Sequence, residues 1–339
     1  MSQQVIAHTA EVDAARRARS TILRFWIRTI ATRREGPIFA VSALTFFYFV
    51  ITTNNFATID SLHTLLTFVA PVAVVAIGLT PLIVSGEIDV SGGQAFAFAP
   101  VLLYEVYQRG APLLVAAVVA VAATAGVGMI NGLIATYFHL TSFVVTLGMY
   151  FVLAGLNVSI LNAPATTPGS GTYLDITAGP YSEIIWALVI VVIAQVVLSK
   201  TRFGLRTVAV GANIAGAIEL GVPVRRIKIA NFMFASAMAG LAGVFESVRV
   251  ATTDPGAGGS TLAFQSIAAV VIGGTLLAGG SGTAVGSLLG AVFLGIINEG
   301  FALAGISAYT FNLIVGIAIL VALIINRGLI VLSGAGATR

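Results

Sequence analysis

The sequence predicts an all-α polytopic membrane protein of about ten transmembrane helices. Three observations predict it. Hydrophobic residues make up 58% of the 339-residue chain and charged residues only 9%, whereas a soluble domain carries about 25% charged residues. The mean hydropathy is +1.02. The apolar residues fall in long runs divided by short polar or turn-forming stretches, and about 20 apolar residues in a helix suffice to cross a hydrocarbon core.

The elements follow in order. Residues 1–37 form a polar tail carrying Arg16, Arg17, Arg19, Arg24, Arg28, Arg33 and Arg34. A targeting peptide is the competing reading of such a start. The apolar run that follows continues to about Ile51 and ends in Thr-Thr-Asn-Asn without a small-residue cleavage site, which favours a cytoplasmic tail. Polar or turn-forming points at 54–61, 85–93, 109–112, 138–141 and 163–181 then divide the chain into six spans: 38–53, 63–84, 92–107, 113–137, 142–162 and 183–199. The third is short and carries Glu105. A second basic cluster follows, with Lys200, Arg202, Arg206, Arg225, Arg226 and Lys228. Positive residues near span ends are retained in the cytoplasm, so the tail and the 200–228 loop share a side and an even number of crossings separates them. Six crossings satisfy that parity. Four further spans are expected near 229–248, 263–278, 284–304 and 308–326, with Arg327 after the last. The transmembrane body thus covers 38–327, and residues 328–339 return to the cytoplasm. The longest outward segment, 163–181, is rich in Pro, Thr and Gly and has no basic residue, as an exported loop should.

Thirty-seven glycines supply close-packing spacings: Gly282, Gly286 and Gly290 form overlapping G-x-x-x-G units, and Ala239 with Gly243 a small-x-x-x-small pair. Small residues let helix backbones approach where lipid gives no hydrophobic drive for association. A short echo also occurs, Gly128-Met129-Ile130-Asn131 in the fourth span against Gly295-Ile296-Ile297-Asn298 in the ninth. Copies five spans apart run in opposite directions, the arrangement of an inverted internal repeat, which in transporters places the path at the repeat interface.

Much chemistry is excluded. Without cysteine there are no disulfides, thiolate nucleophiles or Cys-based metal sites. The only lysines, Lys200 and Lys228, follow no Gly-rich phosphate loop, so the chain has no ATPase site of its own. His8, His63 and His139 are too scattered for a zinc helix. Gly279-Gly280-Ser281-Gly282 matches an intramembrane serine protease only superficially, because no histidine sits on a neighbouring span to take the serine proton. The polar residues inside or bordering spans are Glu87, Asp89, Gln94, Glu105, Asn131, Asn157, Glu246, Gln265, Asn298, Glu299 and Asn312. Such groups are costly in a membrane and mark solute paths or hold helices together by hydrogen bonds. With no Lys or Arg deep in a span, this interior suits a neutral polyhydroxy solute better than an anion. Asn131, Asn298, Glu299, Gln94 and Gln265 are the path candidates, packing by the same amides being the alternative.

Ser85-Gly86-Glu87-Ile88-Asp89-Val90-Ser91-Gly92-Gly93 resembles the Gly-x-Ile-Asp-Leu-Ser-Val-Gly signature of permease subunits of ATP-binding-cassette (ABC) monosaccharide importers of the ribose, xylose and rhamnose type. The second half is similar to the same family in order and spacing: Val210-Gly211-Ala212-Asn213, Ala217, Gly221-Val222, Ala239-Gly240-Leu241-Ala242-Gly243, Gly273-Gly274-Thr275, and Ala278-Gly279-Gly280-Ser281-Gly282 with Gly286 and Gly290. The resemblance covers about residues 55–327. Gly92-Gly93-Gln94 departs from the usual continuation of the first motif, and the Arg-rich tail lies outside it.

The resemblance implies a type II importer permease, similar to the vitamin B12 permease, in the bacterial inner membrane. It implies a second permease subunit enclosing the path, two cytoplasmic ATP-binding-cassette subunits that hydrolyse ATP, a periplasmic substrate-binding protein, and a sugar or sugar alcohol as cargo. No cofactor and no nucleic-acid partner is expected for this chain. Residues 213–220 read as a short helix capped by Asn213 and stopped by Gly221. In the family the corresponding segment is the coupling helix that docks on the ATPase, which assigns Asn213, Ala217, Glu219 and Gly221 to coupling and leaves Glu87 and Asp89 as an acidic loop motif. Attraction of the basic loop to anionic lipid is the bland alternative. An ion- or proton-coupled secondary transporter, with Glu105, Glu246 or Glu299 as proton carrier, is the competing function. A membrane protein without flux is the third.

Overall fold

The structure is a computed structural model, and it describes residues 35–167 and 181–332. The tail before residue 35, most of the 163–181 loop and the last residues of the C-terminal tail lie outside the described residues. The described chain is helical apart from one two-residue strand pair. In chain order the helices are α1 (Gly36–Thr52), α2 (Ile59–Val84), α3 (Gly92–Gln108), α4 (Leu113–Tyr137), α5 (Ser142–Ile160), α6 (Ser182–Lys200), α7 (Arg202–Ala212), α8 (Ile214–Glu219), α9 (Val224–Arg249), α10 (Gly259–Ile272), α11 (Ala284–Leu303) and α12 (Ala308–Leu332). The strands are β1 (Ala165–Thr166) and β2 (Thr252–Thr253), antiparallel with Ala165 opposite Thr253.

Six of these helices, α2, α4, α5, α6, α9 and α11, are long and apolar enough to cross a membrane, while α1, α10 and residues 309–321 of α12 are shorter apolar segments. Their ends are set by local chemistry. Thr58 accepts the Ser61 N–H at 3.2 Å to open α2, and Thr283 accepts the Gly286 N–H at 3.0 Å to open α11, each satisfying a first-turn donor. The eighth span differs from its expected bounds of 263–278. It begins at Gly259, after Gly258 at φ +72°, and ends at Ile272, where Gly273 and Gly274 turn the chain. A side chain at Gly273 would overlap the Gly286 carbonyl, so the backbone leaves α10 at the point where α11 crosses it. The basic loop also contains more helix than expected. Thr201 caps α7 through the Gly204 N–H.

The core is organised around α2, whose residues from Val69 to Val84 are buried with one exception, Pro71. α4 packs most extensively on α9, and α11 on α2; α3 packs on α4 and α9, and α10 on α11 and α2. The small-residue spacings expected from the sequence sit at these crossings. At Gly243 of α9 an added Cβ would overlap the Phe96 carbonyl of α3, and at Gly290 of α11 it would overlap the Ala269 carbonyl of α10. The faces of α4, α5 and α6 turned away from this core carry Leu114, Phe151, Val192 and Ile193, all more than half exposed. In water such a surface would drive aggregation, and in lipid it is solvated.

Candidate functional site

The site is built on the non-helical turn 85–91 between α2 and α3, which is exposed at Gly86 and buried among helices from Asp89 to Ser91. A helix must break here because the backbone reverses, and Gly86 at φ +84° makes the break. The freed N–H groups find side-chain acceptors on α5: Ile88 N donates to Ser142 Oγ at 3.1 Å and Val90 N to Thr146 Oγ1 at 3.2 Å. Non-helical backbone at this depth is tolerated only with such partners.

Asp89, 1% exposed, organises the turn. Its Oδ1 accepts the Ser91 N–H at 2.8 Å and the Ser91 hydroxyl at 2.6 Å, and its Oδ2 accepts the Ser236 hydroxyl of α9 at 3.2 Å. Asn131 of α4 then donates from Nδ2 to Ser91 Oγ at 2.9 Å, while its Oδ1 has no hydrogen-bond partner. One turn further on, Asn157 of α5 donates to both the carbonyl and Oε1 of Gln94, at 3.2 and 3.1 Å. The turn is thus tied to α4, α5 and α9 by buried hydrogen bonds, and α3 to α5 by a separate Gln94–Asn157 pair. Here the N-termini of α3 and α10 meet, since an added Cβ at Gly93 would overlap the Gly259 carbonyl.

The remaining path candidates lie elsewhere. Gln265 on α10 and Glu299 on α11 are buried and Asn298 is half-buried; none of the three shows a side-chain hydrogen bond among the described residues. Asn131 and Asn298, paired by the sequence echo, are not brought together: α4 packs chiefly on α9 and α3, and α11 chiefly on α2 and α10. Glu105 pairs with Arg109 at 3.1 Å and is partly exposed. Glu246 holds Arg249 at 2.6 Å, and Glu183 on α6 faces the same guanidinium at 3.3 Å. Glu87 pairs with Lys228 of α9, both side chains 14% exposed.

In the basic loop, Asn213 caps α8 by accepting the Gly216 N–H at 3.0 Å, and Gly221 ends the segment at φ +72°. Ala217 is buried against Val210 and Ile227. The opposite face, with Ile218 and Leu220 60% and 82% exposed and Glu219 beside them, is bare. Ser142, Thr146 and Ser236 are the contacts that sequence reasoning missed, and Asn157 is one it left unassigned. Ser236 stands in a run of small residues whose only visible signal is packing.

Buried hydrogen bonds among helices long and apolar enough to cross a membrane define the frame of a polytopic membrane protein. Residues 61–323 match the model of the family described as branched-chain amino acid transport system / permease component. The chain belongs to this family of ABC-importer permeases, transport subunits whose ATPase lies in a separate polypeptide. It is 32% identical over 311 residues to the xylose/arabinose import permease protein XylH of Sulfolobus acidocaldarius, covering 88% of this chain and 86% of that one. It is 32% identical to the ribose import permease protein RbsC of Escherichia coli strain K12, over 80% of this chain and 87% of the relative. The autoinducer 2 import system permease protein LsrC of Photorhabdus luminescens is also 32% identical, over 74% and 77%. No solved structure matches the chain.

Proposed function

We propose that this protein is the membrane-embedded half of an ATP-driven importer that carries a sugar or sugar alcohol across a bacterial inner membrane. The observation that carries the reading is the family membership over residues 61–323, together with relatives named for xylose, arabinose and ribose import. The interior supports a neutral cargo. Its deep polar groups are mostly amides and hydroxyls, with the carboxylates of Asp89 and Glu299 among them, and no Lys or Arg is placed to meet an anion. Such groups donate to and accept from hydroxyls without the cost of burying an unpaired charge.

In this reading the chain crosses the membrane ten times, through α1 to α6 and α9 to α12, with both termini and the 200–228 loop in the cytoplasm. An inverted repeat of type II architecture is supported by the packing. Shifting each crossing by five exchanges the pair of fourth and seventh spans (α4 on α9) with the pair of ninth and second (α11 on α2), and α3 on α4 with α10 on α11. The turns also correspond: Ser91 N donates to Asp89 Oδ1, and Gly256 N donates to Asp254 Oδ1, both at 2.8 Å. A second permease subunit completes the path, a periplasmic binding protein delivers solute, and two ATP-binding-cassette subunits dock on α8 through Ile218, Glu219 and Leu220. Asn298, Glu299 and Gln265, whose polar atoms no neighbour claims, contact the solute. Asn131 also ties the turn to α4 and Gln94 ties α3 to α5, and both stay on the path as candidates for solute contact.

Uptake of radiolabelled pentoses by cells expressing the full importer tests this reading. It should persist when an ionophore collapses the proton gradient while ATP is maintained. Uptake that stops with the gradient would instead identify a proton-coupled transporter.

A further inference from the structure

The Glu87–Lys228 pair joins two segments 141 residues apart, and no assignment made so far uses it. Lys228 lies one turn into α9. The residue before it, Ile227, is buried against Val210 of α7 and Ala217 of α8, with Phe203, Val222 and Val224 closing the cluster. Lys228 is therefore fixed to the same small apolar core that fixes the coupling segment. Glu87 lies in the 85–91 turn, two residues from Asp89. The start of that turn touches the same region again, since Gly280 N donates to the Val84 carbonyl at 2.8 Å and Gly211 of α7 lies against that carbonyl with no room for a Cβ.

We infer that Glu87 and Lys228 form the joint through which the coupling segment moves the Asp89 turn. The inference rests on the reading of α8 as the ATPase-docking helix. The rest of the turn is held by hydrogen bonds to α4, α5 and the middle of α9, which belong to the transmembrane core. Glu87 is the one side chain of the turn that reaches the base of α9, beside the α7–α8 core. At 14% exposure for each partner, water competes poorly for the two charges, so the pair resists separation more than a surface pair does. A displacement of α8 then moves Lys228, and Lys228 carries Glu87 and the turn with it. The pair stays closed through the cycle. Glu87 and Lys228 are positioning residues and do not touch solute.

The experiment uses the full importer, with ATPase subunits and binding protein, in proteoliposomes, and it reads pentose transported per ATP hydrolysed. Glu87→Gln and Lys228→Gln should each lower that ratio by about tenfold, within the range of typical coupling effects, with ATPase subunits still bound. The exchanged pair, Glu87→Lys with Lys228→Glu, should recover most of it. Because the chain has no cysteine, Glu87→Cys with Lys228→Cys provides a second test. The free thiols should be uncoupled, and a short bifunctional thiol cross-linker should restore the ratio, which a role in folding alone would not produce. Normal ratios in the single Gln variants overturn the inference, as does a cross-linked protein that assembles and remains uncoupled. Failure of every variant to assemble assigns the pair to folding and also overturns it. An Ile218→Cys variant, otherwise unaltered, separates this inference from the reading beneath it. If it gives no cross-link to the ATPase, the docking assignment fails; if it cross-links while the Gln variants stay coupled, the joint alone fails.

Discussion

Asp89→Ala removes the acceptor for three donors: the Ser91 N–H at 2.8 Å, the Ser91 hydroxyl at 2.6 Å and the Ser236 hydroxyl at 3.2 Å. The site is buried, so water does not replace the carboxylate. A lost bond that leaves its donor unsatisfied costs about 1–3 kcal/mol, while side-chain bonds between membrane helices average nearer 0.6. Three donors, two of them hydroxyls able to rotate toward other acceptors, set the loss at about 3–6 kcal/mol. At roughly 2 °C per kcal/mol this lowers the melting midpoint by about 6–12 °C. Asp89→Asn keeps Oδ1 for both Ser91 donors, and its new amide can donate to Ser236 Oγ, so its midpoint should move by less than about 3 °C. The assay is the thermal loss of monodisperse protein from detergent, followed by fluorescence-detected size exclusion. An Asp89→Ala protein as stable as the parent, or an Asp89→Asn protein as unstable as Asp89→Ala, would refute the role given to these three bonds.

Other expectations follow from the same geometry. Gly243→Val forces α9 away from the Phe96 carbonyl, an overpacking that costs about 1–3 kcal/mol or more, and should lower the yield of folded protein, as measured by size exclusion. Gly221→Val places a β-branched residue at φ +72°, a strain of about 1–2 kcal/mol. It should cut transport per ATP hydrolysed with the permease still inserted, and normal transport with normal ATPase stimulation would remove α8 from the coupling assignment. Asn298→Leu breaks no hydrogen bond in the described structure, so it should leave thermal stability within about 1 kcal/mol and lower uptake. Asn131→Leu should lower uptake as well, with a small stability change, since the lost bond to Ser91 is offset by removing an unpartnered Oδ1. Single cysteines at Leu220 and Tyr309, both exposed, should be labelled from opposite faces of the membrane.

The helical body was legible in the sequence because a membrane span announces itself within about 20 consecutive residues. The ends of α2, α4 and α11 fall close to the expected bounds for that reason. α10 was misplaced because Gly258, Gly259, Gly273 and Gly274 are equally compatible with loop and with tight packing, and only the position of α11 decides between them. α7 went unread because its alternation of Arg202, Phe203, Leu205 and Arg206 gives no long apolar run. In the site, Asp89 and Asn131 were visible as polar residues in apolar surroundings. Their connection through Ser91 and Ser236 was not, since a serine among alanines and glycines carries the same signal whether it packs or bonds. Ion pairs such as Glu87 with Lys228 and Glu183 with Arg249 join residues far apart in the chain, and single-sequence periodicity contains no information on such pairings.

In the proposed function this chain passes solute inward only when a separate ATPase works on it. The direct measurement is pentose accumulation in proteoliposomes containing the permease, its ATP-binding-cassette subunits and the binding protein, with ATP on the ATPase side and no ion gradient. Pentose should accumulate against its gradient, and accumulation should stop when a non-hydrolysable ATP analogue replaces ATP. Accumulation by the permease alone under a proton gradient, or none with the complete complex and ATP, would contradict the proposed function.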